Sequence, residues 1–183
     1  MNDIEQRLAQ LERLVAELLD EARKQGASAA EAAVSSDAGL SLNVRLGDTE
    51  TIEHTRDNGL GVTVYFGQRK GSASTSDLSP EAVRETVEAA SNFARYTSED
   101  PCAGLADAAL MATDIPDLDL FHPWDLGVEQ AIERAIACEA AAREQDARIV
   151  NSDGASLSSH NSLQVYGNSH GFIGGYPLSL IHI

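Results

Sequence analysis

The sequence predicts an α+β fold: an antiparallel β-meander with helices packed on it, followed by a second unit of helix plus β-hairpin. Three observations carry that prediction. Apolar residues alternate with period two at Leu40, Leu42, Val44 and Leu46, and again at Leu60, Val62, Val64 and Phe66, the pattern of strands with one apolar face. Short turn signals fall at Gly47-Asp48, Asp57-Asn58-Gly59 and Gly67-Gln68, and chain reversals this tight join antiparallel neighbours. Helical periodicity marks 3–25, 80–96 and 126–145.

The first helix is expected over 3–25. Ile4, Leu8, Leu11, Val15, Leu18 and Ala22 recur in steps of three and four, with Leu14 and Leu19 widening the stripe. That stripe suits a helix laid on a sheet, though a two-chain coiled coil would share the seam. Gln25-Gly26 stops it. A weak first strand follows at 30–36, weak because alanine favours helix. Strands then follow at 40–46, 49–56 and 60–66. Of these, 49–56 has Ile52 as its only large apolar residue and so exposes much of its surface.

Gly67 in the first central position suits a type II′ turn, since glycine accepts a positive φ without a Cβ clash. The return strand carries Gly71, Ser72, Ala73 and Ser74, small residues that allow close packing. Ser79 reads as an N-cap with Pro80 at the first helical position. The helix it opens, 80–96, presents Val83, Val87, Ala90 and Ala94, with Phe93 beside them.

Residues 101–126 read as irregular, with a short helix at 105–111 and a brief strand at 117–121. The third helix, about 126–145, aligns Val128, Ala131, Ile132, Ala135, Cys138 and Ala142. A strand is expected from Arg148, and two more at 162–167 and 170–176 around Asn168-Ser169. The division suggested by this pattern is 1–100 and 101–176 within a single region spanning 1–183. The apolar residues 177–183 have no cap or turn and are expected to be a non-native tail.

Composition narrows the function classes. Thirteen basic against 29 acidic residues leave 183 residues with a net charge of −16. A surface of that sign repels phosphate backbones and anionic bilayers, so no nucleic-acid and no membrane partner is expected. The N-terminus has no basic region followed by an apolar run, and a cytoplasmic location is the default expectation. Cys138 falls on the apolar side of its helix and is expected to be buried; no Cys-x-x-Cys spacing pairs it with Cys102.

The residues show no catalytic constellation. His54, His122, His160, His170 and His182 include no pair at helical ligand spacing. His122 lies near Asp117, Asp119 and Asp125, a set that a divalent ion accepts in principle but that reads better as a solvated acidic loop. His160 and His170 flank a hairpin and read as polar surface. Ser72, Ser74, Ser76, Ser158, Ser159 and Ser169 lie outside any G-x-S-x-G elbow. Gly59-Leu60-Gly61 precedes a strand, not a helix, and is misplaced for cradling phosphate. Arg69 and Lys70 form a small basic spot.

Taken in order and spacing, GLGVTVYFGQRKGSASTSDLSPEAV, DPCAGLAD, PDLDLFHPWDLGVEQAIERA, RIVNSDGAS and VYGNSHGFIGGY resemble the N-terminal portion of the TldD/PmbA family, in its PmbA (TldE) branch. The match runs from Ala30 to Tyr176. The resemblance implies a bacterial cytoplasmic protein at least twice this length, non-catalytic in itself. It implies a partner, the TldD-type zinc peptidase subunit, in a complex that trims unfolded peptides. The family's older label, modulator of DNA gyrase, does not imply DNA binding. The family's zinc motif, H-E-x-x-x-H, belongs to the TldD-type subunit and has no counterpart here, so the resemblance carries no catalytic, cofactor or metal residue to any position. A structural protein-interaction module with no role in proteolysis and an independent hydrolase with an unrecognised site are the alternatives.

Overall fold

The computed structural model describes residues 2–183. Its elements, in chain order, are α1 (Asn2–Lys24), β1 (Ala29–Arg45), β2 (Asp48–Phe66), β3 (Arg69–Thr75), α2 (Pro80–Tyr96), α3 (Val128–Arg143), β4 (Ala155–Asn168) and β5 (Ile173–His182). A single 3-10 turn, Ala108–Leu110, interrupts the long connection between α2 and α3. The strands form one sheet in the order β3-β2-β1-β4-β5. The fold is α+β with an antiparallel sheet, as the alternation and turns predict. β4 runs opposite to β1: the Ser169 amide donates to the Ala30 carbonyl at 2.8 Å, while Gly154 lies against the Val44 carbonyl.

Several boundaries differ from those read in the sequence, each for a traceable reason. The expected strands 30–36 and 40–46 are one continuous strand, β1, because Asp37–Gly39 stays extended between its neighbours. Asp57-Asn58-Gly59 makes no turn; it lies within β2. β1 continues unbroken alongside, and a missing Cβ at Gly59 would sit 3.1 Å from Ser35 Oγ. Ladder hydrogen bonds to a long partner outweigh a local turn preference. The first hairpin turns at Leu46-Gly47, one residue earlier than Gly47-Asp48, with φ of 55° and 86°; both central residues positive is the type I′ arrangement. Gly67, at φ 62°, opens the second turn as expected. No strand forms at 117–121 or from Arg148. Val150 is exposed, and the Asp146 carboxylate holds Arg148 through its side chain at 2.8 Å. β4 starts at Ala155, earlier than 162, and Pro177–His182 belong to β5.

Contacts divide the chain into two compact units, each made of three separate stretches. The first comprises Met1–Ser36, Asp57–Leu118 and Leu163–Pro177; the second comprises Asp37–Arg56, Asp119–Ser162 and Leu178–Ile183.

In the first unit, α1 and α2 cover one sheet face. Val15, Leu18 and Ala22 of α1 and Val87, Ala90 and Ala94 of α2 are fully buried with Ala32, Val34, Leu60, Val62, Val64 and Val165. The apolar stripe of α1 is thus helix on sheet. Ser79 Oγ accepts from the Ala82 amide, capping α2. The small residues of β3 serve close packing: a Cβ on Gly71 would fall 2.1 Å from the Ala90 carbonyl oxygen and 2.4 Å from the Ala94 nitrogen. Phe93 departs from its expected place beside the stripe and is 59% exposed.

In the second unit, α3 sets Ala131 and Ala135 against Leu42, Val44 and Leu157. Its inward row continues to Glu139, and Cys138 is exposed, contrary to the expected buried thiol. The helix follows the i, i+4 direction from Ala131, so the residue after Cys138 turns inward.

Candidate functional site

The face of the first unit's sheet that the helices leave open carries its most developed surface. Alternation decides what stands there. Ala30, Ala32 and Val34 point to the helices, so Glu31, Ala33 and Ser35 point away; likewise Gly59, Gly61, Thr63 and Tyr65 oppose Leu60, Val62 and Val64. Of these, Ala33, Ser35, Gly59 and Gly61, with Ser74, Gln164, Tyr166, Gly174 and Tyr176, line a cleft of about 630 Å³. A second hollow of about 400 Å³ is lined by Glu31, Ala33, Gly61, Thr63, Ser72, Ser74 and Tyr166. A Cβ at Gly61 would meet nothing within 4 Å, so the floor is open space over backbone.

One polar cluster organises this face. Tyr65 donates its hydroxyl to one Glu31 carboxylate oxygen at 2.8 Å, and Tyr166 donates to the other at 2.9 Å. Burial, then the hydrogen bond and charge of Glu31, push the Tyr65 phenol up to about 12. Tyr166 is raised as well, first by burial. Both phenols therefore remain donors across the neutral range, and Glu31 is held as an acceptor. Phe172 tilts against Tyr166, with ring centroids 6.1 Å apart. Thr63 and Ser72 hydroxyls meet at 2.9 Å. The arrangement offers hydrogen bonds, aromatic walls and room for a backbone. It holds a chain better than it cuts one: the two phenols stay protonated at neutral pH, and both Glu31 carboxylate oxygens are committed to hydrogen bonds within the cluster.

The candidates singled out in the sequence are scattered. His54 is exposed on β2. His122 Nε2 meets the Asp119 carbonyl oxygen at 2.9 Å and its carboxylate at 3.2 Å. His160 Nε2 lies 3.5 Å from Asp37. His170 occupies the turn between β4 and β5, its amide donating to Asn168 Oδ1, and His182 is exposed. Ser169 Oγ accepts from the Ala30 amide at 3.0 Å. Arg69 pairs with Glu99 at 3.5 Å, so that basic spot is engaged within the chain. Gly59 and Gly61 contribute floor, not a phosphate loop. Among the described residues, no three His, Cys, Asp or Glu side chains converge in a way that would hold a metal ion. No described helix is long and apolar enough to cross a membrane.

Sequence reasoning did not bring Glu31, Tyr65 and Tyr166 together. The usable signal was parity: Glu31 interrupts the alanines of β1 on the opposite face, and Tyr65 and Tyr166 each neighbour a buried valine.

Comparison with known proteins gives consistent matches. Residues 30–94 match the family description PmbA/TldA metallopeptidase domain 1, and residues 121–183 match the PmbA/TldA metallopeptidase central domain. The chain is 53% identical over 147 residues to metalloprotease PmbA of Escherichia coli O157:H7, covering 80% of this chain and 33% of that protein. It is 52% identical over 172 residues to a metalloprotease PmbA homolog of Haemophilus influenzae, covering 94% of this chain and 37% of the relative. The chain thus spans about a third of the length of these relatives. Among solved structures, a protein described as a modulator of DNA gyrase from Bacteroides thetaiotaomicron superposes with a TM-score of 0.83 at 26% identity, over 92% of this chain and 39% of that one. TldE from Thermococcus kodakarensis shares the fold, with a TM-score of 0.69 at 17% identity over 91% of this chain and 37% of its own.

Proposed function

The chain belongs to the PmbA/TldD family, and from that premise we propose that it is the N-terminal portion of a non-catalytic, PmbA-type subunit. In this reading it works with a TldD-type zinc peptidase subunit in a cytoplasmic complex that processes unfolded peptides. The observation that carries the reading is the open sheet face. Its floor of Ala33, Gly59, Gly61 and Gly174 admits a backbone, and Glu31, Tyr65 and Tyr166 form a fixed polar cluster beside it. That is a surface for holding polypeptide, while the metal-borne step falls to the partner. The matched relatives are named metalloproteases, which supports placing this chain in a peptidase assembly.

The test is hydrolysis of an unfolded peptide by the purified protein alone, by the TldD-type subunit alone and by the mixture. Cleavage is expected only when the TldD-type subunit is present, and faster in the mixture. Cleavage by this chain alone, abolished by one serine or histidine substitution, would refute the subunit reading and favour an independent hydrolase.

A further inference from the structure

β3 covers β2 only from Leu60, opposite Thr75, to Phe66, opposite Arg69. From Asp48 to Arg56, β2 has β1 on one side and, among the described residues, no strand on the other. Every residue of that stretch is exposed, including Ile52 at 44%. At ~3.3 Å per residue, this leaves an unpaired edge on the order of 30 Å long.

Natural sheets blunt such edges by keeping them short, by placing lysine or proline on them, or by covering them. This edge is long and has neither lysine nor proline. Its charges, Asp48, Glu50, Glu53 and Arg56, are mostly acidic and deter an acidic strand, while Thr49, Thr51, Ile52 and Thr55 favour extended backbone. A row of free amides and carbonyls on β-branched residues is the template used in strand addition.

We infer that the Asp48–Arg56 edge is a docking site for an extended segment of another polypeptide carrying lysine or arginine, which adds beside β2 as a further strand. Charge selects that occupant. Asp48, Glu50 and Glu53 outnumber Arg56 on the edge. Glu50 is engaged by Asn43 at 2.8 Å and Arg45 at 3.9 Å, which leaves Asp48 and Glu53 to meet the incoming strand. Opposite charges across a strand pair favour pairing and like charges oppose it. Two copies of this edge would set carboxylates against carboxylates on chains of net charge −16, so self-pairing is disfavoured. The inference rests on the subunit reading only for the expectation that unfolded polypeptide is the material handled.

The experiment uses a fluorescent nine-residue peptide alternating lysine and threonine, and a control alternating glutamate and threonine. Binding is read by anisotropy, and its position by amide hydrogen exchange. The lysine peptide should slow exchange within 48–56 and bind at least about tenfold more tightly than the glutamate peptide, with affinity falling as salt rises. Asp48→Lys/Glu53→Lys alters only exposed side chains. With an unchanged far-UV spectrum it should reverse the preference between the two peptides. Protection on β5 instead, equal affinity for both peptides, or a dimer that buries 48–56 in sedimentation and exchange would each overturn the inference. Because no step depends on hydrolysis, peptide binding without support of the TldD-type subunit would refute the subunit reading alone. Support of hydrolysis without protection at 48–56 would refute only this inference.

Discussion

The two compact units hold themselves together in different ways. In the first, two strongly amphipathic helices bury leucine and valine against one sheet face, with α1 and α2 contributing Val15, Leu18 and Val87 at zero exposure. In the second, α3 offers mostly alanine, and its inward row ends on a carboxylate. Glu139 is 3% exposed. It accepts from the Leu46 amide at 2.8 Å and the Gly47 amide at 2.9 Å, binding the helix to the first hairpin turn. Arg134 stacks over Trp124 with its guanidinium 4.8 Å from the ring centroid. Apolar area dominates one unit and placed polar contacts carry much of the other. Area is forgiving of small shape changes but not of charge; a buried polar contact fails when either its geometry or one partner is lost.

The largest effect should come from charging the first core. Val87→Asp places an unpaired carboxylate among aliphatic side chains and should cost about 4 kcal/mol in chemical denaturation. An unchanged denaturation midpoint would show that α2 does not rest on the sheet through this residue. Gly71→Val comes next. Its Cβ would be driven into the α2 backbone at Ala90 and Ala94, and overpacking against backbone should cost about 2–3 kcal/mol. By contrast Gly61→Val, on the open face, should leave stability nearly unchanged while filling the cleft. Lost peptide stimulation with an intact fold would tie that face to function.

Glu139→Gln tests the second unit. The Leu46 amide, then the Gly47 amide, hold the Glu139 carboxyl below the usual carboxylate range against the opposing effect of burial. A depressed folded-state value means that this stability is present above the unfolded value near ~4.3 and is lost as pH falls through the folded one. The variant should be less stable at neutral pH and should lose part of that acid dependence. Identical acid limbs for both proteins would remove Glu139 as the cap of the turn.

A smaller loss of stability than in either core belongs to Tyr65. Its value is raised to about 12 by burial and by Glu31. The folded state therefore retains the proton that the unfolded state loses near pH ~10. Stability from this group is complete below pH 10 and declines as pH rises through 12. Tyr65→Phe should cost about 1 kcal/mol at neutral pH and flatten the alkaline limb between those values. A limb unchanged by the substitution would mean that the phenol ionises as if free.

By itself, the sequence determined what local chemistry controls. The stripe of α1 and the Ser79-Pro80 start of α2 follow from side chains a few residues apart. So do the Gly67 turn and the alternation of Leu60–Phe66. Its motifs likewise carried the family. Only tertiary structure decided which local signals survived. Asp57-Asn58-Gly59 reads as a turn until β1 runs beside it and supplies a ladder along the whole of β2. Cys138 and Glu139 are neighbours, and which one turns inward depends on the angle at which α3 meets Leu42 and Val44 and on two amides at a distant turn. Glu31, Tyr65 and Tyr166 stand up to 135 residues apart; strand order places them on one face, and periodicity within a strand contains no information about which strands become neighbours. The same holds for the edge at Asp48–Arg56: its residues announce an exposed strand, but only the register of β3, ending at Leu60 opposite Thr75, shows that β3 does not pair with it.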